Sequence, residues 1–526
     1  MLLWSEPRQS APIPEKVTVT TIGIDYRPTL LSRIFMLLLH STKRLGLLAA
    51  SSLTAFILGC STKVEHPVVF EPNLVHTMKY QIQKDLPMDD ASKDSTWVVD
   101  TMFGSPDAPT LPTVITKDED LASIVSMDHL KHASGPTTEQ GRGLFRALCA
   151  TCHGVTGNGR GKDASAQMPY PRDYRMGIFK FKSTPRGEKP TKQDLARLIR
   201  DGISGTNMLS AEKLLETENF RRKQNNEPPL TISKITDEDI RALVDYVMYL
   251  SLRGEHERTQ IDEGIFTQIL EGGERLINSD FGSRVVSDEN FRTMLEEDAD
   301  KEDEDLTDEM QSNLKQYEQY QDEWEFAEDY AADIAEDWLE GPEAALEVPD
   351  PPASFPLAET SDDVARLESG PQADEFAASV KRGQELFVGK IASCSKCHGE
   401  KGLGNGQTTD YDDWTKDWTT RVDLKPENRE DLIPLIARGA LPPVNIIPRN
   451  FAEGVFRGGA TSKDLYRRIT QGIDGTPMPA ATFVDGQFDP KDVWHLVNFI
   501  RSLETPDSSA KSSSSGDSAE SSVAAP

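Results

Sequence analysis

The sequence predicts a helical protein in which one unit occurs twice, with an acidic segment between the copies. The motif C-x-x-C-H occurs at residues 149–153 and 394–398, and each copy lies within the same ordered series of segments. Each copy also contains a Thr followed three residues later by Asp, which is typical of a capped helix start. Each closes with apolar residues spaced three and four apart, which indicates a helix with one buried face.

Length and charge restrict the class of protein. The chain has 526 residues, which suggests two to four domains. Lys plus Arg number 57 against 87 for Asp plus Glu, and the net charge of -30 argues against binding nucleic acid through phosphate contacts. Between residues 296 and 350 there are 23 acids against Lys301 and Lys315, so this segment holds -21 of the total. Hydrophobic content of 37% with 33 prolines indicates linker or tail beside the folded domains.

The first sixty residues resemble a bacterial lipoprotein signal that begins near Met36. Lys43 and Arg44 precede an apolar run of fourteen residues, 45–58, which is too short to span a bilayer and ends in Gly59 and Cys60. The resemblance implies export and lipid attachment at Cys60, with residues 1–35 as an over-called start. An uncleaved anchor and a buried free Cys60 are the alternatives.

No later stretch approaches the about 18 apolar residues of a membrane helix. We therefore expect an exported protein that lies at the periplasmic face and is held to the membrane by lipid.

The remaining four cysteines all lie in the two motifs. Cys149 and Cys152, like Cys394 and Cys397, have the spacing at which two thiols add to the vinyl groups of a haem while the next His ligates its iron. A zinc knuckle is the alternative, but a Cys/Cys/His set within five residues cannot surround a tetrahedral ion without distant ligands. The motifs therefore predict two covalent haem c groups, with His153 and His398 as iron ligands.

Further matching segments surround each motif. A G-x-x-L-F segment begins at Gly141 and at Gly383, and a P-R-[DN]-[YF] segment occupies residues 171–174 and 448–451. The capped helix starts are Thr191 and Thr461. The closing helices align without a gap, so that residues 239–250 of the first copy match residues 492–503 of the second.

His495 lies on the second closing helix, where the first copy has Ala242. A ligand is already available at Met478, so we expect His495 to pack or to face water.

Met208 and Met478 each lie seventeen residues after the capping Thr, on a Gly-rich loop. A thioether there suits a sixth iron ligand, and His/Met ligation raises the reduction potential of a haem. The alternative is that these methionines fill the core. In the first copy, Met168 and Met176 are competing candidates.

Together these motifs resemble the class I bacterial cytochromes c, in particular the diheme soluble or lipid-anchored kind. The resemblance covers about 115 residues in each half of the chain. It implies an all-α fold, with three to five short helices around each haem and with the first and last helices crossing. The roles that it implies are thioether attachment at Cys149, Cys152, Cys394 and Cys397, proximal ligation by His153 and His398, and distal ligation by Met208 and Met478. Arg172 and Arg449 are candidates for haem propionate contacts, with a plain surface role as the alternative.

The expected organisation has six parts. They are an N-terminal extension and signal (1–60), an N-terminal linker region (61–135), a first cytochrome c domain (136–254), an acidic inter-domain segment (255–378), a second cytochrome c domain (379–504) and a Ser-rich disordered tail (505–526). The second copy contains about thirty extra residues between His398 and Pro448. Trp414 and Trp418 within them suit a haem lid or a docking patch.

The acidic segment has Leu, Tyr and Trp interspersed, so we expect it to be helical and partly docked and not disordered. Its charge fits either steering of a basic partner or a solvated spacer.

The function that these features predict is electron transfer between membrane-associated respiratory partners. If both methionines bind, neither iron has an open site, which favours a relay over catalysis. The expected partners are redox proteins with a basic docking surface, and the membrane through the lipid anchor. The alternatives are a diheme peroxidase-like oxidoreductase with one open haem, a haem subunit of a terminal oxidase complex, and a binding module that uses the acidic segment.

Overall fold

The computed structural model describes residues 68–302, 305–406 and 410–505. The fold is all-α, as predicted. The signal segment with Cys60, and the tail from residue 506, lie outside the described residues, so lipid attachment stays a prediction. Within the described ranges, no helix is long and apolar enough to cross a membrane.

A layer of five helices precedes the first motif. They are α1 (Leu74–Lys84), α2 (Asp89–Phe103), α3 (Thr113–Lys117), α4 (Glu119–Ala122) and α5 (Met127–Ala133). The sequence suggested a linker region over residues 61–135, yet residues 68–135 are folded. The reason is burial, because Val98, Phe103 and Leu130 lie in the same hydrophobic core as the helices around the first motif.

The helices around the first motif follow this layer. They are α6 (Leu144–Leu148), α7 (Ala150–His153), α8 (Lys192–Asp201), α9 (Ala211–Gln224) and α10 (Asp237–Phe266), with 3-10 turns at Ala164–Ala166 and Tyr174–Met176. Helix α10 begins with a capping box, in which Thr236 and Asp239 exchange side-chain and backbone hydrogen bonds. It runs without interruption past residue 254, where the sequence suggested a domain boundary.

The acidic segment is helical and docked. Its helices are α11 (Ser279–Ser287), α12 (Glu289–Ala299), α13 (Asp308–Glu340) and α14 (Ser361–Glu368), with a 3-10 turn at Gly341–Ala344. Helix α13 packs on α10 and buries Ala331, Ala335 and Trp338 in the first core. Most of its acidic side chains remain on the exposed face, where their charges stay in water.

The second motif has its own helices and a smaller core. They are α15 (Ala373–Val388), α16 (Ser395–His398), α17 (Asp413–Asp417), α18 (Arg429–Ala437), α19 (Ser462–Gln471) and α20 (Val493–Ser502). The 3-10 turns are Thr420–Val422, Phe451–Glu453 and Pro490–Asp492. The two-residue strands β1 (Asp410–Tyr411) and β2 (Asn445–Ile446) pair antiparallel, with Asp410 opposite Ile446.

The crossing of first and last helices differs between the copies. In the second copy, α15 crosses α20 at Gly383, where a Cβ atom would lie 2.0 Å from the carbonyl oxygen of His495. Gly141, at the same motif position of the first copy, lies before α6 in open space. Helix α6 has only five residues, and α5 provides much of the packing against α10 instead.

Candidate functional site

Each Cys-Cys-His set lies on a single helical turn. Cys149 is the N-cap of α7, and Cys394 is the N-cap of α16. Side chains three and four residues apart lie on the same face of a helix, so both thiols and the following imidazole project together. None of these four cysteines is in a disulfide. The arrangement presents two thiols and one imidazole to a group on one side of the turn.

The two imidazoles are held in one tautomer by the same backbone contact. Nδ1 of His153 donates to the carbonyl oxygen of Arg172 over 3.1 Å, and Nδ1 of His398 donates to that of Arg449 over 3.3 Å. Nε2 therefore keeps its lone pair, which is the requirement for an iron ligand. Removal from water lowers the pKa of His153 to about 4 and also lowers the pKa of His398. Both rings are neutral near pH 7.

An aromatic ring fixes the plane of each imidazole. Tyr174 stacks on His153 with ring centroids 4.8 Å apart, and Phe451 stacks on His398 with centroids 4.7 Å apart. The two aromatic residues begin matching 3-10 turns, capped by the side chains of Asp173 and Asn450. The P-R-[DN]-[YF] segment thus supplies both the carbonyl and the ring that orient each His.

A glycine after each His makes the return of the chain possible. Gly154 and Gly399 have φ values of +73° and +75°. A Cβ atom on Gly154 would lie 2.4 Å from Oδ1 of Asn158, and one on Gly399 would lie 2.2 Å from Oδ1 of Asn405. Both the backbone angle and the close approach therefore require glycine.

The two methionine loops have the same internal hydrogen bonds. We call residues 202–208 the first distal loop and residues 472–478 the second. Ile203 N donates to the carbonyl oxygen of Met208 over 2.8 Å, and Ile473 N donates to that of Met478 over 3.1 Å. The matching pattern indicates one backbone conformation for both loops, and both methionines are half-buried.

The competing methionines of the first copy have different surroundings. Met168 is 61% exposed, which is a poor environment for a ligand of an enclosed iron. Met176 borders a cavity of about 100 Å³ that Arg172 also lines.

The cations beside the two sites fit the carboxylates of a haem. Buried Nε atoms of Arg449 and Arg457 have no hydrogen-bond partner among the described residues. Removal from water lowers the pKa of Arg172 to about 9 and that of Lys180 to about 7. Burying these cations costs free energy, and anionic groups near them would offset that cost. The two propionates of a haem are such groups.

Extra residues of the second copy reach the first site. We call residues 410–447 the insertion. The Arg172 guanidinium lies 3.3 Å from the centroid of the Trp414 ring, and Trp414 Nε1 donates to the carbonyl oxygen of Asp173 over 3.5 Å. The same ring lies against Gly475 of the second distal loop. Trp414 therefore touches the surroundings of both sites.

Trp418 has a different role. It lies in an apolar cluster with Leu432 and Leu435 of α18, against Val75 and Met78 of α1. This cluster docks the insertion on the N-terminal helical layer.

Asp417 of the insertion adds a charged contact to this docking. It pairs with Lys79 at 3.3 Å and with Arg258 at 3.3 Å.

The two copies also meet at equivalent positions. Val455 lies against Gly205 of the first distal loop, and Ile178 lies against Gly475 of the second. In the repeat, Val455 corresponds to Ile178 and Gly205 to Gly475. The contact is therefore nearly symmetric, with each copy touching the other copy's distal loop.

Sequence reasoning did not find the residues of this interface, because their partners are far away in the chain. Arg186, for example, donates to a carbonyl 287 positions later. His495, in contrast, lies as expected in the helix packing, where Nδ1 is 2.8 Å from Ser379 Oγ.

Two segments of the chain match the family model of cytochrome c, residues 138–251 and 380–504. A comparison with curated proteins gave no match. Among solved structures, a chain of the Kuenenia stuttgartiensis reducing HAO-like protein complex is 19% identical, with 70% of this chain and 99% of that chain covered. Its TM-score of 0.36 is too low to support an argument about fold. The match to the family model shows that the chain contains two cytochrome c domains.

Proposed function

Two cytochrome c domains indicate a haem c electron-transfer protein, and from them we propose that the chain carries two haem c groups and relays electrons between membrane-associated respiratory partners on the outer side of the cytoplasmic membrane. A haem c supplies a one-electron iron couple at each site. The observation that carries the proposal is the repeated constellation, in which an oriented neutral His and a half-buried Met loop occur in both domains.

The residues of the chain would hold and tune the two groups. Cys149, Cys152, Cys394 and Cys397 would form the thioether bonds. His153 and His398 would bind the iron ions through Nε2, and Met208 and Met478 would complete the coordination. Two methionine ligands would leave no position for a substrate, which supports a carrier.

We also propose that the protein acts at the membrane surface. Export and attachment through Cys60 would keep the protein close to membrane complexes and raise its effective concentration there. The exposed acids of α13 would favour a partner with a basic docking surface.

The test is the optical spectrum of the purified exported protein, with haem quantified per chain. We expect two haem c groups per chain, a far-red thioether-to-ferric charge-transfer band from both, and no binding of carbon monoxide by the reduced protein. One haem per chain would refute the diheme assignment.

A second candidate is a peroxidase-like oxidoreductase with an open first haem. Gly205, three residues before Met208, is exposed, whereas its counterpart Gly475 is buried. Carbon monoxide binding by one haem of the wild-type protein would favour this candidate over the carrier.

A further inference from the structure

A loop of the first domain holds the second distal loop. We call residues 182–188 the Arg186 loop. Arg186 Nη1 donates to three carbonyl oxygens, those of Ile473 at 2.8 Å, Thr476 at 3.1 Å and Met478 at 3.0 Å. A single guanidinium therefore fixes the backbone of Met478 and of two other residues in its loop. Hydrogen bonds from a charged donor are among the stronger ones in proteins.

Asp474 provides a second anchor for the same loop. Its carboxylate accepts a hydrogen bond from Gly187 N over 3.0 Å and pairs with Lys182 Nζ at 2.9 Å. The side chains of this ion pair are only 4% and 11% exposed. Burial alone would raise the pKa of Asp474, but the contacts with Gly187 and Lys182 outweigh it, so the pKa lies below its ordinary value.

The first distal loop has a weaker cross-domain contact. Arg457 Nη2 donates over 3.3 Å to the carbonyl oxygen of Gly205, three residues before Met208. Within the described chain, hydrogen bonds to the carbonyl oxygens of Ile203 and Met208 come from the loop itself.

The sequence explains this asymmetry. Ten residues separate Lys180 from Thr191, and three separate Arg457 from Thr461. The seven extra residues of the first domain form most of the Arg186 loop.

We propose that Arg186 is a positioning residue for Met478, which it holds in place across the domain interface. This inference rests on the proposed function, because it takes Met478 as the distal ligand of the second haem. The first domain thereby controls how firmly the second haem keeps its sixth ligand. Met208 depends mainly on its own loop.

The experiment is a titration of the ferric protein with imidazole, which competes with a thioether for the iron. In wild-type protein, the far-red band should be lost in two steps, the earlier one from the first domain. In Arg186→Ala, we expect the later step to move to about three- to tenfold lower imidazole, because the hydrogen bonds of a charged but solvent-exposed side chain to the loop are lost. Arg186→Lys keeps the charge without the fork geometry and should lie between the two.

Arg197→Ala is the matched control. Arg197 crosses the same interface, where it donates to the carbonyl oxygen of Gly458 over 2.9 Å and pairs with Asp464 at 3.0 Å. We expect this variant to leave the later step unchanged. Hydrogen–deuterium exchange supplies an independent readout, since amides of residues 473–478 should exchange faster in Arg186→Ala alone.

The possible results distinguish a failure of the role of Arg186 from a failure of Met478 ligation. A wild-type band that accounts for both haems, with the later step unmoved in Arg186→Ala, refutes the role of Arg186 and leaves the carrier intact. Equal shifts in Arg186→Ala and Arg197→Ala also refute it, because the effect then belongs to the whole interface. A wild-type protein whose second haem lacks the band refutes Met478 ligation, and this inference with it.

Discussion

The two cytochrome c domains have nearly the same site and very different surroundings. The distances from His Nδ1 to the Arg carbonyl are 3.1 and 3.3 Å, and the rings stacked on the His lie 4.8 and 4.7 Å away. In contrast, the first distal loop is exposed at Gly205, and the second is buried at Gly475 under Trp414. A repeated sequence reproduces local geometry, whereas unrepeated residues determine how each site is enclosed.

The cores differ in the same way. The core of the first domain continues into α2, α5 and α13. The core of the second domain is a smaller cluster around α15, α19 and α20. Helices outside the repeat therefore enlarge the hydrophobic core of the first domain more than that of the second.

The largest expected effect comes from removing one attachment site. Cys149→Ala with Cys152→Ala should leave one haem per chain and most of the helical content, because α2, α5 and α13 still bury the core. Cys394→Ala with Cys397→Ala should also leave one haem, with a larger loss of helix in the smaller core. Haem quantification and far-ultraviolet circular dichroism measure both quantities. Equal loss of helix in the two variants would contradict the difference between the cores.

Removing the distal ligands compares the sites directly. Met208→Ala and Met478→Ala should each abolish one half of the far-red band, allow carbon monoxide to bind one haem, and lower the reduction potential of that haem. Met168→Ala is the control, because this exposed side chain should leave the spectrum unchanged. A redox titration followed by absorbance measures the potentials. An unaltered spectrum in Met208→Ala would mean that another residue of the first domain is the distal ligand.

A buried histidine links the first domain to the acidic helix. His256 Nε2 donates to the carbonyl oxygen of Ala327 in α13 over 2.6 Å, and Nδ1 lies 2.9 Å from Gln260 Nε2. Burial, assisted by nearby Arg253, lowers the pKa of His256 to about 4. The unfolded chain binds this proton below about pH 6.5, so stability falls as the pH decreases from about 6.5 to 4.

His256 should lower the free energy of unfolding by about 3 kcal/mol over this pH range. His256→Gln should remove this part of the pH dependence, although the variant is less stable at pH 7. Urea unfolding monitored between pH 4 and 7 measures the slope. The same slope in wild type and variant would show that other groups cause it.

The smallest expected effect concerns Trp414. Its stacking with Arg172 should contribute about 1 to 2 kcal/mol as a cation–π contact removed from water. A double-mutant cycle with Trp414→Leu and Arg172→Met, which removes the charge, measures the coupling free energy in the unfolding equilibrium. A coupling of zero would mean that Trp414 contributes only by packing.

Much of the site was predictable, because its signals are local. The turn of Cys149, Cys152 and His153 requires only five consecutive residues. The predicted helix starts at Thr191 and Thr461 are confirmed, and both form capping boxes with the Asp three residues later. The all-α fold and the two cytochrome c domains are confirmed as well.

The rest depends on contacts between distant parts of the chain. The helices of residues 68–135 are buried by later parts of the chain, since α2 and α5 pack on α10 whereas α3 and α4 pack on α13, so the sequence suggested a linker. Arg186 and Trp414 have no periodic pattern around them, and their partners lie in the other domain.

The pairing of Val455 with Gly205 and of Ile178 with Gly475 has a consequence for assembly. A two-fold homodimer also has an interface in which equivalent residues exchange contacts. Here both halves belong to one polypeptide, so the pairing occurs within one chain and does not depend on protein concentration. The duplication also fixes the ratio of the two halves at one to one.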